Sequence, residues 1–161
     1  YYDRIAIPPD IIGQSLRTLR DEGGYTGLNV TVPHKQAVML HVRPDDRARA
    51  LGAANTIDFR DDTATNTDVA GFIDDLFAND VVLDDTHVIV LGAGGAARAA
   101  VYGLTQAGAA VTVVNRTRER AQVMLADLTA SAGVRSATVK SLAEAAQDSI
   151  SLVVNCTSVG M

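Results

Sequence analysis

Cysteine is nearly absent from this 161-residue chain, Cys156 being the only one. No internal disulfide can form, and a reducing, cytoplasmic setting is the expectation. As a catalytic thiol Cys156 lacks a base in its neighbouring sequence, so it reads as a small buried residue near a strand end. Long apolar runs are missing as well. No segment approaches the ~18 residues of a membrane span, and the first twenty residues lack a basic region followed by an apolar signal core. The three histidines, His34, His41 and His87, show no ligand spacing, so no metal site is expected and each reads as a surface or packing residue. Positive charge is in short supply: 14 Lys and Arg against 19 Asp and Glu give a formal net charge of −5. That leaves no electrostatic footprint for nucleic acid, and any anionic ligand must be held by a local cluster of donors. A small-molecule partner fits better, and a homodimer is left open. There is no internal repeat and no low-complexity tract.

What is present is the composition of a globular α/β protein, 47% hydrophobic and 20% charged, in which length suggests one domain but pattern argues for parts of two. The first part, residues 1–79, reads as a strand at 4–7, a proline break, and a helix with Ile11, Ile12, Leu16 and Leu19 at helical spacing, stopped by Gly23-Gly24. A strand at 27–31 follows and ends at Pro33, which holds Val32 extended and suits a first helical turn. Helical stretches are expected near 34–41 and 45–51, then a hairpin turning at Arg60-Asp61-Asp62. From Thr67 a helix carries Val69, Phe72, Ile73, Leu76 and Phe77 on an apolar face and is the expected linker. The second part, residues 80–161, alternates strand and helix from residue 86 to a strand at 151–155. Right-handed crossovers make this one parallel sheet, the first four strands of a doubly wound order 3-2-1-4-5-6.

The segment Val88-Ile89-Val90-Leu91-Gly92-Ala93-Gly94-Gly95-Ala96-Ala97-Arg98 runs an apolar strand into a glycine turn and an alanine-rich helix. Gly92 permits the tight turn, Gly94 lets the backbone approach a pyrophosphate, and Ala97 takes the third, small-residue position of G-x-G-x-x-G/A. Read alone, such a triplet is also an ordinary strand-to-helix turn. A second strand, residues 110–114, arrives on schedule, and its end is where an NAD site places Asp or Glu on the ribose hydroxyls. The chain has Asn115-Arg116-Thr117-Arg118 there instead. Arg116 can pair with a 2′-phosphate, helped by the Thr117 hydroxyl and by Arg118 or Arg120, so NADP is favoured over NAD. The plainer alternative is a solvated helix start.

In the first part Lys35 is placed at a helix start, against the dipole, which disfavours a merely structural lysine at a cost of about 0.3–1 kcal/mol; a surface lysine stays open. Asp68 is well placed in the first turn of its helix and equally suits a plain helix-start acid. Asn55, polar in an apolar strand, needs either a ligand or neighbouring backbone as partner.

Together these segments resemble the shikimate dehydrogenase family. Gly27-Leu28-Asn29-Val30-Thr31-Val32-Pro33-His34-Lys35 looks like its G-x-N-V-T-x-P-x-K signature, Gly52-Ala53-Ala54-Asn55-Thr56 its G-A-x-N-T, and Asn66-Thr67-Asp68-Val69-Ala70-Gly71 its N-T-D-x-x-G. Gly92–Ala96, Asn115-Arg116-Thr117 and Asn155-Cys156-Thr157-Ser158-Val159-Gly160-Met161 match the nucleotide blocks in order. The resemblance implies a small α/β substrate domain followed by a truncated Rossmann NADP-binding domain. It implies NADP-dependent, reversible reduction of 3-dehydroshikimate to shikimate in chorismate and aromatic amino acid biosynthesis. Lys35 would be the general acid/base and Asp68 its partner, Thr31, Asn55 and Asp68 would hold substrate hydroxyls, and Thr157, Ser158 and Met161 would lie near the nicotinamide. The chain begins after the family's serine-x-serine-proline segment and stops at its last nucleotide motif, so a fragment of a longer enzyme with an exposed sheet edge is expected. A quinate/shikimate enzyme of the same family and a non-catalytic NADP-binding or sensing module are the alternatives. A folate-linked methylene dehydrogenase explains neither Asn66-Thr67-Asp68 nor Asn115-Arg116-Thr117.

Overall fold

Two apolar patterns of different period divide the chain. Short strands of three residues or fewer dominate its first part, whereas near-continuous Val/Ile/Leu runs alternate with long helices in the second. In the computed structural model, which describes residues 2–159, they form two compact units, Tyr1–Asn66 and Thr67–Met161.

In the first unit, residues 2–8 run without a ladder partner. The expected strand at 4–7 therefore does not form. Ile7 still packs against the core, and its carbonyl lies 2.8 Å from the His34 Nε2. Pro9–Ile11 make a single 3-10 turn leading into α1 (Ile12–Asp21), which buries Ile12 and Leu16 one turn apart and leaves Ile11 outside. A four-stranded sheet follows in the order β1 (Gly27–Asn29), β3 (Thr56–Asp58), β4 (Thr63–Thr65), β2 (Arg43–Pro44). The first two pairings are antiparallel and the last is parallel. Its hydrophobic core holds Ile12, Leu16, Val30, Val38, Ala48, Ala54, Ile57 and Ala64. Helix α2 (Asp46–Leu51) is capped by the Asp45 carboxylate, which accepts from the Ala48 N–H at 2.7 Å.

The helix expected at 34–41 shrinks to a four-residue 3-10 turn, Ala37–Leu40. The cause is a competing partner. The Lys35 carbonyl accepts the Ala54 N–H at 2.8 Å, while the Met39 N–H turns to Gln36, so the i to i−4 pattern goes no further than the Val38 N–H to His34 bond at 3.0 Å. Lys35 consequently stands in a turn two residues before that element, and the argument from an opposed helix dipole does not apply to it.

In the second unit α3 (Asp68–Ala78) packs on α4 (Gly95–Gln106), with Val69 and Ile73 against Gly103. Phe77, expected on its apolar face, is 53% exposed. The strands β5 (His87–Leu91), β6 (Ala110–Val114), β7 (Ala137–Val139) and β8 (Leu152–Asn155) form one parallel sheet in the order β7-β6-β5-β8. This is the expected 3-2-1-4 arrangement. Helices α5 (Arg118–Ala132) and α6 (Leu142–Ala145) complete the alternation. Val88, Ile89, Val90, Val111 and Val113 are all at most 3% exposed, as strands covered on both faces require. Among the described residues β8 has β5 as its one neighbour, and its Val153 is 54% exposed. Because Leu104 on α4 is fully buried, Leu104→Ala should lower stability by about 2–5 kcal/mol in chemical denaturation.

Candidate functional site

The nucleotide turn is built where three strand ends meet. After β5 the Gly92 N–H donates to the Val114 carbonyl at the end of β6, and the Cys156 N–H donates to Leu91, both at 2.8 Å. The turn therefore lies at the carboxyl ends of β5, β6 and β8, where strand order reverses and α/β sheets bind ligands. Gly92 has φ +115, and a Cβ there would fall 3.1 Å from the Cys156 carbonyl oxygen. Only glycine satisfies both conditions. Gly94 differs: as the residue before α4 it is extended, and a Cβ on it would meet nothing within 4 Å. No side chain caps α4, so its first N–H groups border the open space over Gly94, flanked by half-buried Ala93, Gly95 and Ala96. That cradle fits an anion the size of a pyrophosphate.

Beyond β6, Asn115 donates from Nδ2 to the Thr117 carbonyl at 2.7 Å and shapes the loop. Arg116, Thr117 and Arg120 are exposed around it. Arg118 is not of this group: its Nη1 and Nη2 lie 3.3 Å from Glu144 Oε2 and the Val139 carbonyl, which directs the guanidinium to β7 and α6. Glu144 is held in turn by a capping box at Ser141, whose N–H and hydroxyl keep its carboxyl below the ordinary value. After β8, Asn155 Oδ1 accepts from the Thr157 N–H and hydroxyl at 3.0 and 2.7 Å, and its Nδ2 reaches the Val159 carbonyl. Thr157 is half-buried and Ser158 exposed; Met161 lies outside the described residues. Cys156, expected to be buried, is only half-buried where β8 ends at this turn.

In the first unit a backbone network gathers Thr31, Lys35 and Asn55 at one end of the sheet. The Val30 N–H donates to Asn55 at 2.7 Å, the Ala54 N–H to Lys35 at 2.8 Å, the His34 N–H to Thr31 at 2.9 Å, and the Asn55 N–H to Thr65 at 3.0 Å. Thr31 is exposed, while Lys35 and Asn55 are half-buried. Asn66, which sequence reasoning did not single out, is fully buried and donates from Nδ2 to the Ala53 carbonyl at 3.0 Å, tying the end of β4 to the loop that carries Asn55. The strand before it, Thr63-Ala64-Thr65, is not apolar, so the local pattern carries no signal of that burial. Asp68 opens α3 in the second unit, half-buried in its first turn. Among the described residues no group of His, Cys, Asp or Glu could hold a metal ion.

Another residue missed from sequence is Arg98. It is 6% exposed on α4, and its Nη2 meets Asp127 Oδ2 on α5 at 2.6 Å, joining the two helices that leave the ends of β5 and β6.

Comparison with known proteins matches both halves of this geometry. The model of the shikimate dehydrogenase substrate-binding domain covers residues 1–57, and that of shikimate/quinate 5-dehydrogenase covers residues 76–159. The chain belongs to the shikimate dehydrogenase family. It is 46% identical over 138 residues to the shikimate dehydrogenase (NADP(+)) of Methanocella arvoryzae, covering 86% of this chain and 51% of that protein. To the enzyme of the same name from Rhodopseudomonas palustris it is 45% identical over 164 residues, covering 99% and 57%. Among solved structures, shikimate dehydrogenase from Aquifex aeolicus superimposes with a TM-score of 0.83 at 32% identity over 96% of this chain and 56% of that one. The Thermus thermophilus enzyme in complex with NADP(H) and shikimate gives 0.76 at 32%, over 94% and 54%. The chain thus spans about half the length of the curated relatives it matches. Among the described residues no helix is long and apolar enough to cross a membrane.

Proposed function

We propose that, in its complete reading frame, this protein is an NADP-dependent shikimate dehydrogenase interconverting 3-dehydroshikimate and shikimate. The observation that carries the reading is the gathering of Thr31, Lys35 and Asn55 by main-chain bonds at one sheet end, in a chain whose relatives are named for that reaction. Residues 1–79 are the substrate-binding part, passing through α3 into a nucleotide-binding part at residues 80–161.

The nicotinamide, when bound, supplies the hydride. The protein supplies position, charge and a proton. Reducing the substrate ketone develops negative charge on its oxygen, and the Lys35 ammonium stabilises that oxygen and donates the proton to it. In the reverse direction the neutral amine takes the hydroxyl proton. Asp68 accepts from a substrate hydroxyl, while Thr31 and Asn55 hold the others. Gly94 and the first N–H groups of α4 would hold the pyrophosphate and Arg116, Thr117 and Arg120 the 2′-phosphate, while Thr157 and Ser158, with Met161 by the family resemblance alone, would serve the nicotinamide end.

Arg118 serves the cofactor indirectly, by pinning the start of α5 to Glu144 and Val139. The two arginines therefore predict different kinetics. Arg116→Ala should raise the KM for NADP+ by roughly 10- to 100-fold, the worth of one charge-assisted contact, and leave that for NAD+ unchanged. Arg118→Gln should affect both coenzymes equally. An Arg116→Ala protein that keeps its NADP+ preference would overturn the cofactor assignment.

A further inference from the structure

Helix α3 contains a glycine that its own packing does not explain. Gly71 sits inside Asp68–Ala78 rather than at either end, is exposed, and has nothing within 4 Å of where a Cβ would stand. Glycine in a helix interior is less favourable than alanine, because more backbone freedom is lost on folding. Gly103 on α4 shows the opposite case, since a Cβ there would fall 2.8 Å from Ile73 Cγ1. Packing requires Gly103, and among the described residues no packing contact requires Gly71.

Position 71 lies three residues after Asp68, on the same helix face. Helical side chains lean towards the N-terminus and cover the preceding turn. A side chain at 71 would thus lie over the turn that carries the Asp68 carboxylate. Val69, buried on the face packed against α4, turns away from it. We propose that Gly71 is a specificity-determining residue: by having no side chain it keeps clear the space beside Asp68 into which the hydroxylated ring of the substrate fits. This rests on the assignment of Asp68 as a substrate ligand. The occupant is the substrate: the polyol offers several hydroxyl donors to a carboxylate that only accepts, and the KM for NADP+ separates it from the nicotinamide, whose carboxamide could also donate.

Gly71→Ala and Gly71→Leu in the complete reading frame, with Asp68→Asn alongside, test it. Gly71→Ala should raise Tm by about 2 °C through helix propensity and yet raise the KM for shikimate roughly tenfold, with a larger rise for Gly71→Leu. The KM for NADP+ should stay unchanged, and calorimetric binding of shikimate should weaken in parallel. A merely structural glycine would give the stability gain with no loss. Unchanged shikimate KM in both Gly71 variants beside an impaired Asp68→Asn would overturn the role of Gly71 alone, as would an equal rise for NADP+. Unchanged shikimate binding in Asp68→Asn would overturn the substrate assignment on which it rests.

Discussion

Lys35→Ala in the complete reading frame is expected to lower kcat by about 10²–10⁴, with a smaller change in the KM for shikimate. Loss of a general acid removes a stabilisation made mainly in the transition state, whereas on the proposed reading the substrate hydroxyls would keep Thr31, Asn55 and Asp68. The fold should tolerate the change. A bond that ties residue 35 into the first unit runs from the Ala54 N–H to its main-chain carbonyl and survives any side-chain substitution. Stopped-flow hydride transfer and a thermal melt of the same preparation separate the two effects. A Lys35→Ala protein with undiminished turnover would sink the assigned mechanism.

The second large effect concerns two glycines two residues apart that should fail in different ways. Gly92→Ala places a side chain at φ +115 and 3.1 Å from a main-chain carbonyl oxygen. Strain of that kind costs about 1–3 kcal/mol before the Cys156 segment is displaced, so the variant should melt lower with or without coenzyme. Gly94→Ala puts its Cβ into open space at an extended backbone, so its melt should match the parent. Its binding should not, because the methyl group takes the place of the pyrophosphate, and NADPH affinity should drop roughly tenfold or more. Fluorescence titration beside thermal denaturation reads both quantities. Equal NADPH affinity in Gly94→Ala and parent would remove the pyrophosphate from this turn.

The nucleotide half was legible because its signals are local and redundant. Val88–Val90 and Val111–Val113 are apolar runs that strands buried on both faces demand, and Gly92 and Gly94 sit between strand and helix as phosphate turns require. The first half carried weaker signals. Residues 4–7 read as a strand by alternation, but a strand needs a neighbour, and the described chain offers none. The helix at 34–41 was lost to a bond from residue 54, a long-range partner that no window around Lys35 reveals. Lys35 thus kept its place among the candidate residues while the dipole argument offered for it failed. Arg118 has a long-range partner too: its spacing suits a phosphate, and Glu144 and Val139, more than twenty residues downstream, engage it. Arg98 and Asn66 lie within quoted motifs, but their burial was not read, because burial of a polar residue is decided by tertiary packing.

The most direct measurement is steady-state oxidation of shikimate by the complete reading frame with NADP+, beside quinate and NAD+ as parallel arms. Turnover with shikimate and NADP+ at a kcat/KM well above the other three combinations is the predicted result. A folded protein that binds NADPH and turns over neither acid with either coenzyme would contradict the account and identify a binding module instead.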